Sequence, residues 1–314
     1  MALGTPVRER LAAHTDDDLV ALMAAGTHSE PGVGGGSVVF EVDGVPVFAK
    51  RVPLTDRELA SPHGTANLFD LPLFCQYGIT SPGFNAWREL AANEIVSGSG
   101  SVPRLHHWRI LPGRSPVADE HADLDVVAAR LGGAVRVRLE ALAAATHSLV
   151  LFSEYIPYSL YDWLRDDPAG KAELVEQQLM HIVAVLRDHE LLHMDGHFGN
   201  LRTDGERLVL TDFGLVTSPR FDLSVAERAF VKRNATHDAD YAAMRLVNWL
   251  VTEVCGVSTV PAARNEFVAW CATGGVPDHV PSHVAAIITR HAPAAARANS
   301  LYWQLFQRIR WATV

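Results

Sequence analysis

The sequence predicts an α+β protein, with strands concentrated in its first half and helices in its second. Three observations carry that reading. Residues 32–42, GVGGGSVVFEV, place a glycine cluster before alternating β-branched and aromatic residues. The chain then turns at Asp43-Gly44, a two-residue hairpin signal, and returns as VPVFAKRV. A second apolar run, SLVLFSEYI at 148–156, has the length and composition of a strand. Beyond it, AELVEQQLMHIVAVLRDHELLH carries apolar residues at Leu174, Leu179, Ile182, Val183 and Leu186, the period of a helix with one buried face.

Taken in order, residues 1–30 form a short helical lead. After the hairpin, residues 55–83 are punctuated by Pro, Gly and Asn, which favours a loop excursion over regular structure. FNAWRELAANEIVSG then has the character of a helix and holds two glutamates, Glu89 and Glu94. Residues 113–147 are charged and rich in small residues, and the alanine-rich stretches near 122–145 and 284–298 favour helix. The end of the chain, NSLYWQLFQRIRW, carries aromatics at helical intervals and is expected to pack as a terminal helix; an exposed aromatic stripe would reverse that.

Residues 193–214 hold the chemistry. Asp195 precedes Asn200 by five positions, a turn signal follows at Thr203-Asp204-Gly205, and Leu208-Val209-Leu210 leads as a buried strand into Asp212-Phe213-Gly214. Phosphoryl transfer needs a cation to screen the polyphosphate, a carboxylate to orient the acceptor hydroxyl and take its proton, and a rigid frame for both. The order of these residues resembles the catalytic loop and DFG segment of the protein kinase superfamily, a family of kinase-like phosphotransferases.

That resemblance implies a two-lobed protein kinase-like fold. Its β-rich N-lobe would span 31–153 with insertions at 55–83 and 113–147, its helical C-lobe 154–314, and ATP would lie between them. Asp195 would be the catalytic base, and Asn200 and Asp212 the Mg²⁺ ligands. Gly32, Gly34, Gly36 and Ser37 match the glycine-rich segment whose amides approach phosphate. Lys50 takes the place of the strand lysine on the phosphates; an unpaired ammonium in an apolar strand is otherwise costly. Glu89, with Glu94 as the alternative, would pair with it, although the stretch from Lys50 is longer than usual. Main-chain groups at Glu154 and Ile156 would meet the adenine, and Asp240 would hold the backbone of the catalytic loop. The likeness covers about residues 32–250.

Two departures qualify it. Met194 stands where many protein kinases have an arginine that pairs with a phosphorylated segment, so no such switch is expected. The segment from Gly214 to Asp240 is short and lacks Ala-Pro-Glu, which puts a peptide platform in doubt. His197 replaces a common lysine; a histidine there also occurs in small-molecule phosphotransferases of the fold, and simple packing would account for it equally. Three classes follow: a phosphotransferase with a Ser/Thr protein acceptor, a small-molecule kinase of the aminoglycoside type, and a nucleotide-binding scaffold without catalysis. Carboxylates lining the acceptor side would mark the second, with Asp222, Glu227 and Asp238 as candidates.

Composition narrows the partners. A formal charge of −9 over 314 residues argues against broad nucleic-acid or anionic-membrane binding. The absence of a long apolar run or a signal-peptide core makes a cytoplasmic location the default expectation. Cys75, Cys255 and Cys271 match neither a disulfide framework nor a zinc site, and the 15 histidines lack ligand spacing.

Overall fold

The computed structural model of the chain describes residues 4–28, 36–79, 81–115, 121 and 123–311. Gly32 and Gly34 lie outside the described residues, as do residues 116–120 of the second insertion. The described residues form an α+β protein with twelve α-helices and two antiparallel sheets. They divide into two units. The first is Met1–Ile156 with Asp212–Val231, and the second is Pro157–Thr211 with Lys232–Val314. Residues 212–231 thus join the first unit, although the sequence assigns them to the helical part.

In the first unit, α1 (Gly4–Ala13) and α2 (Asp16–Ala25) precede β1 (Thr27–His28), β2 (Gly36–Val42) and β3 (Val45–Leu54). Then come α3 (Asp56–Leu59), α4 (Ala86–Val96), β4 (Leu105–Pro112), α5 (Leu124–Leu131), α6 (Gly133–Ala144) and β5 (His147–Glu154). The strand order is β1-β2-β3-β5-β4, with every pairing antiparallel. Asp43 (φ 51°) and Gly44 (φ 77°) both take the positive φ that a tight two-residue hairpin requires.

Alternation along the strands splits the apolar side chains between two faces. Val38, Phe40, Val47, Ala49, Val150 and Phe152 pack with Val7, Leu11, Leu19 and Met23 of α1 and α2. Leu54, Leu149 and Leu151 pack with Trp87 and Leu90 of α4. Each buried Val, Leu, Phe or Met side chain among them contributes about 1.5–3 kcal/mol. Lys50, next to Ala49 and paired in register with Leu151, falls on the α4 face.

The first insertion is largely irregular, with two helical turns. α3 is held by a capping box between Thr55 and Glu58, and Leu73–Tyr77 forms a 3₁₀ turn. This insertion binds the segment after Asp212. Thr65 donates its N–H (2.9 Å) and hydroxyl (3.0 Å) to Asp222 Oδ2, and the Asp222 N–H returns a bond to Thr65 Oγ1 (2.8 Å). The Gln76 side chain donates to the Leu215 carbonyl. Arg88 of α4 reaches Glu227 (2.7 Å) with both side chains buried. A second buried pair joins Arg138 of α6 to Glu58 (3.0 Å), and Glu58 also accepts the Ala86 N–H at the start of α4 (2.9 Å).

The second unit begins with β6 (Tyr158–Ser159), α7 (Leu160–Leu164) and α8 (Ala172–Asp188). β7 (Leu201–Thr203) and β8 (Leu208–Leu210) complete an antiparallel sheet ordered β6-β7-β8. α9 (Val225–Arg233) bridges the division of the chain; α10 (His237–Glu253), α11 (Pro261–Cys271) and α12 (Ser282–Trp311) follow. Leu246, Val247, Leu250 and Val251 of α10 and Val284, Ile287, Ile288 and Ala295 of α12 are buried. The end of α12 departs from the expected packed helix. No residue from 300 to 307 is buried, and Leu301, Trp303 and Phe306 are exposed, while Tyr302 turns inward to His237 (3.0 Å). No described helix is long and apolar enough to cross a membrane.

Candidate functional site

The first unit gathers three of the site residues named from sequence. Lys50 Nζ donates to Glu89 Oε1 at 2.6 Å and to Asp212 Oδ1 at 2.8 Å. The geometry follows from strand alternation, which sends Lys50 toward α4, and from the packing of Trp87 and Leu90, which turns Glu89 inward. Glu89 is buried and Glu94 is exposed, so Glu89 is the partner. Burial works to lower the Lys50 pKa, but the charges of Asp212 and Glu89 and their hydrogen bonds outweigh it and hold the ammonium above its ordinary value. Burial pushes the Glu89 carboxyl up and Lys50 opposes that push.

Asp212 sits at φ 64°, in the left-handed region that non-glycine residues rarely occupy. Its Oδ1 also accepts the Gly214 N–H (3.2 Å), which closes a local turn. A Cβ on Gly214 would stand 3.2 Å from Asp212 Oδ1 and 3.9 Å from Glu89 Oε2, so glycine keeps the carboxylates uncrowded.

The pairing gives a direct prediction. Glu89→Gln should lower stability by about 1.5–3 kcal/mol, the range for a hydrogen bond to a charged group. Glu94→Gln should stay within about 0.5 kcal/mol, as for an exposed position. Urea midpoints compare the two; equal shifts would remove the special role of Glu89.

The remaining first-unit residues are placed as follows. Ser37 lies opposite Lys50 in register. The Gly36 N–H donates to Ser115 Oγ (2.8 Å), so that amide is engaged within the unit. A Cβ on Gly36 would come 2.5 Å from the same hydroxyl oxygen. Glu154 ends β5 and gives its N–H to the Arg104 carbonyl (2.9 Å), while Ile156 is buried.

The second unit carries the loop with Asp195 and Asn200. His193 is fully buried; its N–H and that of Met194 donate to Asp238 Oδ2 (2.6 Å) and Oδ1 (3.0 Å). His193 Nδ1 accepts the Asp195 N–H (3.3 Å), and Nε2 stands 3.1 Å from the Thr211 carbonyl. Nδ1 is thus the accepting nitrogen of this network, and Nε2 is the one placed to donate to the Thr211 carbonyl. Met194 is at φ 68°, a conformation imposed by the bonds on either side of it. Asn200 Nδ2 donates to the Asp195 carbonyl (2.9 Å), and the Asn200 carbonyl accepts both the N–H (2.8 Å) and hydroxyl (2.9 Å) of Thr211. Thr211 immediately precedes Asp212 in the chain. His197 Nε2 is 3.9 Å from Asp195 Oδ2.

Asp238, rather than Asp240, therefore holds the loop backbone. Asp240 instead pairs with Arg297 (2.8 Å). Both stand in the first turn of α10, a helix buried over much of its surface, so spacing alone offered no way to choose. The three carboxylates considered for the acceptor side all have internal partners: Thr65 for Asp222, Arg88 for Glu227, and the loop amides for Asp238. His193 is a further residue whose part emerges from the structure, although its place before Asp195 was visible.

Asn200 and Asp212 present oxygen donors suited to a hard cation. The amide nitrogen of Asn200 is held by Asp195, which leaves its Oδ1 as the end for a metal. The Asp212 side chain is 37% exposed. Mg²⁺ characteristically uses one or two carboxylates together with water and substrate phosphate, so the donor chemistry of each residue, taken by itself, suits it. No protein-family model matches the chain, and no match to it is found among curated proteins.

Proposed function

We propose that the protein is an ATP- and Mg²⁺-dependent phosphotransferase of protein kinase-like, two-lobed fold that moves the γ-phosphoryl group to a hydroxyl. The observation that carries this reading is Lys50, half-buried and held by Glu89 and Asp212. A structural ion pair needs one carboxylate; an ammonium aimed by two, one of them partly exposed, suits a polyphosphate.

In this reading Lys50 binds phosphate oxygens and Glu89 aims it. Asn200 and Asp212 would hold Mg²⁺, which neutralises charge on the phosphoryl oxygens when bound. Asp195 orients the acceptor hydroxyl and takes its proton as the oxygen attacks the γ-phosphorus and the bond to the β-phosphate oxygen breaks. Ser37, Gly32 and Gly34 approach the phosphates, with Gly36 taking part through its lack of a side chain rather than through its amide, and the main chain at Glu154 and Ile156 meets the adenine. His193, Asp238 and Asn200 fix the Asp195 backbone, so the base is positioned without a phosphorylation switch.

A serine or threonine of a protein is the acceptor that the resemblance favours. A small-molecule acceptor is supported by one observation: Val216, Thr217, Ser218, Phe221 and Leu223 are buried, whereas a peptide platform presents this segment outward.

Transfer of labelled γ-phosphate from Mg-ATP into cell extract, split into protein and small-molecule fractions, tests the proposal. Asp195→Asn should retain nucleotide binding and reduce transfer by about 10²–10⁴-fold, as for a lost general base. Label in one fraction identifies the acceptor class. Nucleotide binding without Asp195-dependent transfer in either fraction would replace catalysis by a scaffold role.

A further inference from the structure

One face of α10 lies along the Asp195 loop. Asp238 binds the loop amides at 193 and 194, and Trp249, three turns later, packs its ring on Phe198 at 5.9 Å. Between them on the same face stand Tyr241 and Arg245, at helical steps of three and four. Tyr161 of α7 packs on the same Phe198 ring at 6.1 Å and accepts a hydrogen bond from Arg245 Nη2 at 3.0 Å. Its ring edge is 4.0 Å from where a Cβ on Gly199 would be. Arg245 therefore stands beside the loop that carries Asp195.

A second guanidinium joins it. Arg264 of α11 is partly buried near Arg245 and Tyr161; burial first, and then the Arg245 charge, push its pKa below the ordinary value. Its Nε is buried without a hydrogen-bond partner. Among the described residues neither Arg245 nor Arg264 is paired with a carboxylate. The buried arginines of the first unit differ in this respect, since Arg88 has Glu227 and Arg138 has Glu58. Two neighbouring guanidiniums without a counter-charge repel each other and carry a desolvation cost, which an anion bound from outside would offset. The placement is the reverse of what a cationic acceptor needs.

We infer that Arg245 and Arg264 form an anion-binding subsite beside Asp195, and that the hydroxyl acceptor carries a carboxylate or phosphate group. The acceptor part of this inference rests on the proposed phosphotransferase function, whereas the subsite itself does not. A guanidinium can bond two oxygens of either anion at once, and Tyr161 fixes one of the two arginines.

Arginine-specific modification of the full chain, mapped by mass spectrometry at Arg245 and Arg264, tests the subsite. The probes are inorganic phosphate, glycerate and glycerol 3-phosphate, with glycerol, glucosamine and Mg-ATP as comparisons. The anionic probes should protect both arginines where glycerol and glucosamine do not. Their affinity should fall about tenfold or more in an Arg245→Gln, Arg264→Gln double variant whose melting temperature matches the parent, the scale of one lost charge-assisted bond. Absence of protection by all three anions overturns the subsite, as does equal protection by Mg-ATP, which would assign the arginines to the nucleotide. Protection by the anions with no Asp195-dependent transfer would retain the subsite and reject the phosphotransferase reading. Transfer into neutral or cationic acceptors that is indifferent to the double variant would retain that reading and reject an anionic acceptor.

Discussion

Asp212→Asn should abolish phosphoryl transfer while leaving the fold close to intact. Asparagine keeps an oxygen at the position of Oδ1, so it can still accept from Lys50 and from the Gly214 N–H. It also tolerates the left-handed backbone found at this residue. What it removes is the charge. Lys50 retains one carboxylate, Glu89, and a bound cation loses its anionic protein ligand. Transfer should therefore fall by more than about 10⁴-fold, beyond the range of a lost general base. Mg²⁺-dependent nucleotide affinity should weaken as well. Asp212→Ala separates charge from backbone: it loses the side-chain acceptor and with it the local bond to the Gly214 N–H that lets Asp or Asn occupy the left-handed region, adding about 1–2 kcal/mol of destabilisation. Single-turnover rates and melting curves of both variants would check this. Near-native transfer by Asp212→Asn would exclude this aspartate as a metal ligand.

The legible parts of this chain are those in which local pattern and tertiary demand coincide. Asp43-Gly44 announces its hairpin because both residues accept positive φ, and the flanking alternation fixes which face each side chain takes. Lys50 stands out because a charge inside an apolar strand requires a partner. The choice between Glu89 and Glu94 was harder, since the rotation of α4 is set by Trp87 and Leu90 packing on strands distant in sequence. β4 was missed: LHHWRILP breaks the two-residue alternation, and a register shift between Leu105 and His107 accounts for it. α3 is only four residues long, yet the Thr55 and Glu58 capping box inside the Pro- and Gly-rich insertion was a readable signal. Buried pairs were invisible in principle. Arg88 meets Glu227 across 139 positions and Arg138 meets Glu58 across 80, distances over which local periodicity carries no information. The same holds for Arg245 and Tyr161, whose contact depends on how α7 and α10 pack within the second unit.

Asp238→Ala should strongly destabilise the second unit. Its carboxylate accepts two backbone amides, those of His193 and Met194, and stands 3.1 Å from His237 Nδ1. Removing it leaves both amides unsatisfied where little water reaches, at about 1–3 kcal/mol for each buried group. Met194 also loses one of the restraints that hold it at φ 68°, so Asp195 should lose its fixed orientation as well. Asp238→Asn offers one carbonyl oxygen in place of two carboxylate oxygens and should fall between the parent and the alanine variant. pH provides a separate test. Burial raises the Asp238 pKa, but its hydrogen bond to His237 and its other interactions with His237 and His193 outweigh that and hold it below the ordinary 3.8. A depressed carboxylate contributes stability that is complete above 3.8 and is lost as pH falls through the folded value. The stability gap between the parent and Asp238→Asn should therefore be constant near neutrality and close below pH 3.8. Denaturant midpoints across that range give the comparison. A gap that persists unchanged in acid would show that the carboxylate acts through shape alone, and equal stability of parent and alanine variant at neutral pH would remove Asp238 as the anchor of the loop.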